Sequence, residues 1–477
     1  MLTQPIAWSI AGSDSSGGAG VQADLKVFQQ LGIHGCSIIT AITAQNPIAV
    51  ASIQYVSADH VAAQMMAMQD HLPPKAIKIG MLGDASMIDT LKQFLQQSHS
   101  TIILDPVMIA SCGQSLFRQD KKKYLQQFDK LFPYVDLFMP NLLELAAFLN
   151  KSIESYDDIQ ETANIFINKG VKNILIKGGH FKNDIRSQDY WTNGHESFWL
   201  AGPRYPEKNY RGSGCIYSSA ITACLALGYD LKDAIVIAKM YINRGIRLAQ
   251  SIDDHTSYVT HAAWPEDEID LPMLSFSPLI DKMPVFPSCG TTSLGIYPIV
   301  DQAIELERLL RQGISTIQLR IKNKTGNELE QAIKSGVQRA KLYQARLFIN
   351  DYWELAIKYG AYGVHLGQSD LSDINIKALQ QAQLRLGIST HCYYEVARAH
   401  AIRPSYLACG PIFHTTSKPM SFPPQGITQL KRWYRTLSSY RLVAIGGINA
   451  NNMADVWETG VDGIAMISAI KQLLPSI

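Results

Sequence analysis

Short and almost wholly apolar runs recur along the chain. In the first half they read IAWSIAG, KAIKIGML, STIILDPVM, DLFMPN and NILIKGG, each ending in Gly, Pro, Asp or Asn or carrying one near its end, with helical stretches between them. A strand with one wet face alternates apolar and polar residues, whereas a strand covered on both faces has no need to. Such runs dictate a parallel sheet sandwiched by helices, and they place the polar residues at the carboxyl ends of the strands, where open α/β sheets bind ligands. With 47% apolar and 18% charged residues the chain has the material for packed cores, and its 477 residues call for more than one.

The pattern breaks at 263–293, AWPEDEIDLPMLSFSPLIDKMPVFPSCGTTS, where five prolines and no clear period mark a linker or irregular connection. A more regular alternation follows. LGIYPIV, STIQLRIK, ARLFIND, AYGVHLG, LRLGIST, SYLACGPIF, RLVAIGGI and DGIAMIS are eight strand candidates within 294–477. Eight β/α units in so short a span predict a compact TIM barrel with its site at the C-terminal strand ends. The expected architecture is an α/β chain: a three-layer α/β/α domain over 1–262, a linker over 263–293, and a (β/α)8 barrel over 294–477.

A formal net charge of +2 supplies no field for nucleic acid or an anionic membrane. The apolar runs are far too short to span a bilayer, and the N-terminal MLTQPIAWSIAGSDSSGG lacks the basic region of a secretion signal. Seven scattered cysteines without a C-x-x-C fit a reduced, cytoplasmic setting and no metal-thiolate site.

In the first half, Asp14 lies within the Gly-rich turn AGSDSSGGAG. Gln45 ends TAQN, Asp105 follows a strand in LDPVM, Asn141 and Glu144 stand in PNLLEL, and Lys177 ends a strand in IKGG. Gly212, Ser213, Gly214 and Cys215 then open a helix. Carboxylates and an amide suit Mg²⁺, a lysine neutralises phosphate oxygens, and a Gly-rich turn at a helix N-terminus stabilises a transferring phosphoryl group. A GxxxxGK[ST] loop is missing. Taken singly, Asp105 has the alternative of capping the next helix, and Glu144 that of a solvated helix position.

Together, AGSDSSGGAGVQADLK, TAQN, KIGML, LDPVM, PNLLEL, IKGGH and GSGC resemble the hydroxymethylpyrimidine/phosphomethylpyrimidine kinases, members of the ribokinase-like superfamily, over residues 1 to about 262. The resemblance implies an ATP-dependent kinase. Gln45 would hold the pyrimidine edge, with Gly12, Asp24 and Met81 lining the same pocket. Lys177 would meet ATP phosphates, and Asp105, Asn141 and Glu144 would organise Mg²⁺ and ATP. Gly212 to Cys215 would form the anion hole, with Cys215 where most ribokinase relatives carry a catalytic aspartate. A helix N-terminus is expected to lower the thiol pKa. Two residues depart from the family pattern: Arg211 for histidine, to bind phosphate or face solvent, and Ile216 for threonine.

In the second half, Gln318, Arg320 and Lys322 of QLRIK share one strand face by the period of two. Two inward cations require an anion, which predicts a diphosphate site. Asp351 in FIND and Asp370 in GVHLGQSD end neighbouring strands and suit one Mg²⁺. GISTH adds Ser389, and GPIFHTTSK adds Thr415, Ser417 and Lys418. AIGGI and GIAMIS end the last two strands in turns rich in backbone N–H groups, where barrels hold phosphate. His365 and His391 read as packed or supporting residues.

These motifs resemble thiamine-phosphate synthase over about 294 to 473. The resemblance implies that Gln318, Arg320, Lys322, Asn350, Ser389 and Lys418 bind hydroxymethylpyrimidine diphosphate, with Mg²⁺ on Asp351 and Asp370. Thr415, Ser417, Gly446, Gly447, Ile467 and Ser468 would bind the thiazole phosphate. His414 replaces the usual proline. The expected partners are these small molecules and a second copy of the chain, since kinases of the superfamily are often dimers. Two alternatives compete: a related pyridoxal or sugar kinase in the first half, and a thiazole tautomerase-like or non-catalytic barrel in the second.

Overall fold

The computed structural model describes residues 4–109, 114–117, 121–179, 181, 185–206, 209–251, 256–280, 285–415 and 422–470. The chain divides into two compact units, residues 1–265 with 270–281, and residues 266–269 with 282–477.

In chain order the first unit carries β1 (Ile6–Asp14), β2 (His34–Gln45), β3 (Val50–Tyr55), β4 (Ala76–Ile79), β5 (Thr101–Leu104), β6 (Leu137–Phe138), β7 (Ile174–Ile176), β8 (Arg186–Thr192), β9 (Ser197–Pro203), β10 (Asn209–Arg211), β11 (Gln250–Ser251), β12 (Thr256–Tyr258) and β13 (Met273–Ser275). Among the described residues all but β10–β12 join one sheet, in the order β13-β9-β8-β7-β6-β5-β4-β1-β2-β3. The central strands β2, β1, β4, β5, β6 and β7 pair in parallel. The flanking strands β3, β8, β9 and β13 pair antiparallel. The apolar runs are apolar because they are covered on both faces; every residue of β4 is buried. Helices Gly20–Gln30, Ser213–Ala226 and Leu231–Arg247 pack together as one covering layer, and Ala58–Gln69, Ala85–Leu95 and Lys121–Phe128 as the other. Winding reverses at β1, which has β2 on one side and β4 on the other. That reversal opens a crevice at the strand ends.

The proline-rich connection is partly structured. β13 adds to the first sheet beside β9, and Asp270 holds Arg247 at 2.6 Å. In the second unit Glu266 accepts from Arg432 at 3.2 Å and Arg435 at 2.6 Å.

The second unit is a closed parallel barrel of β14 (Gly295–Val300), β15 (Thr316–Leu319), β16 (Arg346–Asn350), β17 (Gly363–Leu366), β18 (Arg385–Thr390), β19 (Tyr406–Cys409), β20 (Arg441–Ile445) and β21 (Gly463–Met466), the last closing on the first. Each strand lies within one of the eight runs picked from the sequence. Tyr297, Phe348 and Tyr406 fill the interior with Ala408, Val443 and Ala465. Three large rings fit only because glycines face them. A Cβ on Gly387 would stand 2.1 Å from the Tyr406 ring, which is held by hydrogen bonds to Tyr297 and His365. Gly387→Ala is therefore expected to destabilise the barrel by about 1–3 kcal/mol, as overpacked cores do. Thermal unfolding of the full chain should show the loss; an unchanged transition would mean that the ring can move aside.

Candidate active sites

The candidate residues of the first unit gather beyond the C-terminal ends of its parallel strands. At the end of β1 the Asp14 carboxylate shapes the Gly-rich turn, accepting from Ser16 N and Ala19 N, both at 2.9 Å. Ser15 clasps the backbone of Gln45 at the end of β2, bonding its N and O at 2.8 Å each. Gly12 lies directly against Met81; a Cβ there would be 2.9 Å from the Met81 sulfur.

At the ends of β5 and β7, Lys177 Nζ donates to Asp105 at 2.6 Å and lies 3.9 Å from Glu144. Asp105 is fully buried and also accepts from Ser218 Oγ at 2.9 Å, so its carboxylate is engaged by Lys177 and Ser218 rather than by a helix cap. Glu144 is buried too, against the solvated reading. It forms a capping box with Asn141: Asn141 N donates to the carboxylate at 2.7 Å, and Glu144 N donates to the amide oxygen at 2.9 Å. Burial pushes the Glu144 carboxyl up to about 7, although the Lys177 charge opposes this. Burial also opposes the Lys177 charge, but Asp105 and Glu144 outweigh it and raise its pKa.

The GSGC turn stands over this pair. Gly212, at φ 75, starts the helix, and a Cβ there would meet Gly18 O at 2.0 Å. A Cβ on Gly214 would be 3.4 Å from Lys177 Nζ and 3.9 Å from Asp105. Ser213 and Cys215 lie in the helix's first turn.

Three expectations need correction. Cys215 does not have a lowered pKa. Burial pushes the thiol up to about 11, outweighing Lys78 and a bond from Gly20 N–H, so it is neutral at physiological pH. Asp24 does not turn a free carboxylate to the pocket. It is fully buried, taking Lys78 Nζ at 2.8 and 2.9 Å, Ser9 Oγ at 2.5 Å and Ser219 Oγ at 2.7 Å. Arg211 does not face solvent. It is fully buried, donates to Asn46 O at 2.8 Å and lies 3.7 Å from Asp14. Lys78 itself went unread: one lysine inside the apolar run KAIKIGML was the available signal.

In the barrel, Thr316, Gln318 and the residue after β15, Arg320, fall on the inward face, while Ile317, Leu319 and Ile321 are buried on the other. Gln318 is only 3% exposed, and Arg320 and Lys322 stand further out at the mouth. Lys322 pairs with Asp351 at 2.5 Å, and Asn350 ends β16. Asp370 accepts from Gly367 N at 2.8 Å. No cluster of three His, Cys, Asp or Glu occurs among the described residues. Two carboxylates at neighbouring strand ends are nonetheless a hard-oxygen donor set of the kind Mg²⁺ shares with water and phosphate.

His365 joins Ser389 Oγ at 2.9 Å, and burial pushes its pKa down to about 4, with Arg320 adding to and Asp351 opposing the shift. His391 is held by Glu395 at 2.7 Å and stacks on Phe422. A cavity of about 430 Å³ brings Thr415, Gly446, Gly447, Ile467 and Ser468 together. His414, Asn449 and Asn451 also line it, the asparagines unread in the sequence. Gly446 and Gly447 have φ of 98 and 67, and a Cβ on Gly447 would be 2.4 Å from His414 O. Ser417 and Lys418 lie outside the described residues.

The first unit is thus a ribokinase-like kinase fold with an acid–lysine–glycine turn site, and the second a TIM barrel with a cationic mouth. Comparison with known proteins gives the families. The chain belongs to the phosphomethylpyrimidine kinase family, matched over residues 14–260, and to the thiamine monophosphate synthase family, matched over residues 296–470. It is a bifunctional enzyme of thiamine biosynthesis. It is 52% identical over 187 residues to thiamine-phosphate synthase of Yersinia pseudotuberculosis serotype O:1b (strain IP 31758), covering 39% of this chain and 86% of that one. The synthase of Photorhabdus laumondii is 52% identical over 179 residues, 38% of this chain and 83% of that one. Among solved structures, Staphylococcus aureus pyridoxal kinase with AMP-PCP matches at TM-score 0.52 and 28% identity, covering 57% of this chain and 99% of that one.

The buried neutral thiol makes a direct prediction. At pH 7.5 iodoacetamide should modify Cys215 at least about tenfold more slowly than a free cysteine peptide, because the thiolate is the nucleophile. Peptide mass spectrometry reads this, and fast labelling would contradict the assigned protonation state.

Proposed function

We propose that residues 1–262 use ATP to phosphorylate hydroxymethylpyrimidine to its monophosphate and then its diphosphate. The barrel, over 294–477, then joins that diphosphate to the thiazole phosphate, releasing diphosphate and forming thiamine phosphate. The observation that carries this reading is the joining, in one chain, of a family that makes pyrimidine phosphates to a family named for the thiamine phosphate built from them.

In the kinase, Gln45 recognises the pyrimidine edge beside Gly12 and Met81. Lys177 meets ATP phosphates while Asp105 and Glu144 hold it in place. The N–H groups of Gly212, Ser213, Gly214 and Cys215 face the transferring phosphoryl group. A neutral Cys215 fits two successive acceptors, an alcohol and a phosphate monoester. It keeps its proton on sulfur and sets no fixed negative charge against the second, anionic acceptor. Mg²⁺, organised by Asp105, Asn141 and Glu144, supplies charge neutralisation on the phosphates when bound.

In the synthase, Arg320, Lys322, Asn350 and Ser389 bind the diphosphate, with Lys418 as a further expected contact. With phosphate oxygen as its partner Lys322 would release Asp351, and Asp351 and Asp370 would be the carboxylates to hold Mg²⁺ there. The Thr415–Gly447–Ser468 cavity takes the thiazole phosphate, with Ser417 expected to join it. The work of the residues is to stabilise departing diphosphate and keep water from the pyrimidine cation until the thiazole nitrogen captures it.

The likeness to pyridoxal kinases favours a second substrate for the first domain, pyridoxal, and one assay separates the two. Full-length protein receives hydroxymethylpyrimidine, pyridoxal, ATP, Mg²⁺ and thiazole phosphate, with products read by mass spectrometry. Thiamine phosphate should form. Cys215→Asp, which sets a fixed negative charge against the anionic acceptor, should stop pyrimidine diphosphate formation, and Arg320→Ala should let it accumulate; each variant should lose about 10²-fold or more in its own step. If pyridoxal alone is phosphorylated, the kinase assignment falls. If pyrimidine diphosphate accumulates in the unmodified protein, the synthase assignment falls.

Glu144→Gln gives a further check. Gln retains both capping-box bonds and removes a buried charge. A carboxyl raised to about 7 binds more protons folded than unfolded, so stability falls as pH rises from about 4.5 to 7. The variant should therefore hold or raise the melting temperature at pH 8 while lowering kinase turnover at least about tenfold. A drop in melting temperature at pH 8 would contradict the buried-charge argument.

A further inference from the structure

Four side chains inside the barrel form one hydrogen-bonded chain. The phenol oxygens of Tyr297 and Tyr406 are 2.8 Å apart, Tyr406 Oη is 2.7 Å from His365 Nδ1, and His365 Nε2 is 2.9 Å from Ser389 Oγ. Tyr297, Tyr406 and His365 are 1%, 0% and 7% exposed, so water completes little of this network, whereas Ser389 is only partly buried.

Counting hydrogens sets its direction. Each phenol carries one, a neutral imidazole one, and a buried donor needs an acceptor. Tyr406 is the hydrogen-bond partner the structure gives the buried Tyr297 hydroxyl, so the Tyr297 hydrogen goes to Tyr406. The Tyr406 hydrogen then goes to His365 Nδ1. Nδ1 is an acceptor, so the imidazole hydrogen sits on Nε2 and is donated to Ser389 Oγ. The Ser389 hydrogen is left over, free for the barrel mouth where Arg320 and Lys322 stand. In the opposite sense Ser389 would donate to Nε2 and turn only lone pairs toward an incoming anion.

We propose that Tyr297, Tyr406 and His365 are positioning residues that fix Ser389 as a hydrogen-bond donor to the departing diphosphate. This rests on the reading above that Ser389 meets the diphosphate. It explains why two phenols stay bonded in an otherwise apolar interior. Tyr406→Phe keeps the ring and its packing but removes the hydrogen that makes Nδ1 an acceptor. His365 is then free to carry its hydrogen on Nδ1 and to take the Ser389 hydrogen at Nε2.

The test is a double-mutant cycle on the full chain, supplied directly with pyrimidine diphosphate and thiazole phosphate. Ser389→Ala should lower kcat by about 10²-fold, and Tyr406→Phe by about 10-fold or more. The KM for thiazole phosphate should stay within about twofold in both. The double variant should be no slower than Ser389→Ala alone, because both changes remove the same donated bond. Tyr297→Phe, one link further back, should lower kcat in the same direction and guards against a Tyr406 variant that does not fold. Multiplicative losses in the double variant, or Phe variants that lose stability while kcat stays intact, would overturn the chain. If Ser389→Ala itself leaves kcat unchanged, the placing of Ser389 on the diphosphate fails first, and the proposal with it.

Discussion

A lysine carried into a sheet covered on both faces has to find a carboxylate, and the kinase site is organised by that requirement. Lys78 sits in a wholly buried strand and is matched by Asp24 across 2.8 Å, with Ser9 and Ser219 filling the remaining acceptor positions. Lys177 meets the same demand through Asp105 and Glu144. Removing one member of the close pairs, Lys78–Asp24 or Lys177–Asp105, strands a charge in low dielectric, at a cost of several kcal/mol. The pairs therefore hold β1, β4, β5 and β7 and the helix of the GSGC turn in one register. The turn's N–H groups are pointed by a framework that cannot relax cheaply.

The same electrostatics explains Cys215. A helix N-terminus favours a thiolate, but this thiol is 8% exposed, and the charges of Asp24 and Asp105 oppose the favourable charge of Lys78. Desolvation wins and the proton stays on sulfur. The anion hole keeps its N–H groups and the charge of Lys177 without a permanent negative charge at its centre.

In the barrel the constraint is space. Three aromatic rings occupy the interior, and glycines at 363 and 387 make room for them. The phenols bring hydroxyl groups that must be paired, and pairing them with each other and with His365 carries order to the mouth of the barrel. The opposite rim uses backbone instead. Gly446 and Gly447 take a conformation that side chains resist, and the cavity they border is lined by N–H-rich turns.

Much of this was legible in the sequence because the period of a buried strand and the residues that end it are local properties. The eight barrel strands, the strand-end positions of Asp105, Asn141, Lys177, Asp351 and Asp370, and the shared face of Gln318 and Arg320 all follow from spacing. What spacing cannot convey is which distant groups meet. Asp24 looked like a pocket residue because its partner Lys78 is 54 positions away. The Cys215 proton depends on burial by elements from both ends of the domain. The sequence by itself determined the two architectures and the chemistry available at their strand ends. The tertiary structure alone decided which charges neutralise one another, because desolvation and pairing depend on what the fold brings within a few ångströms.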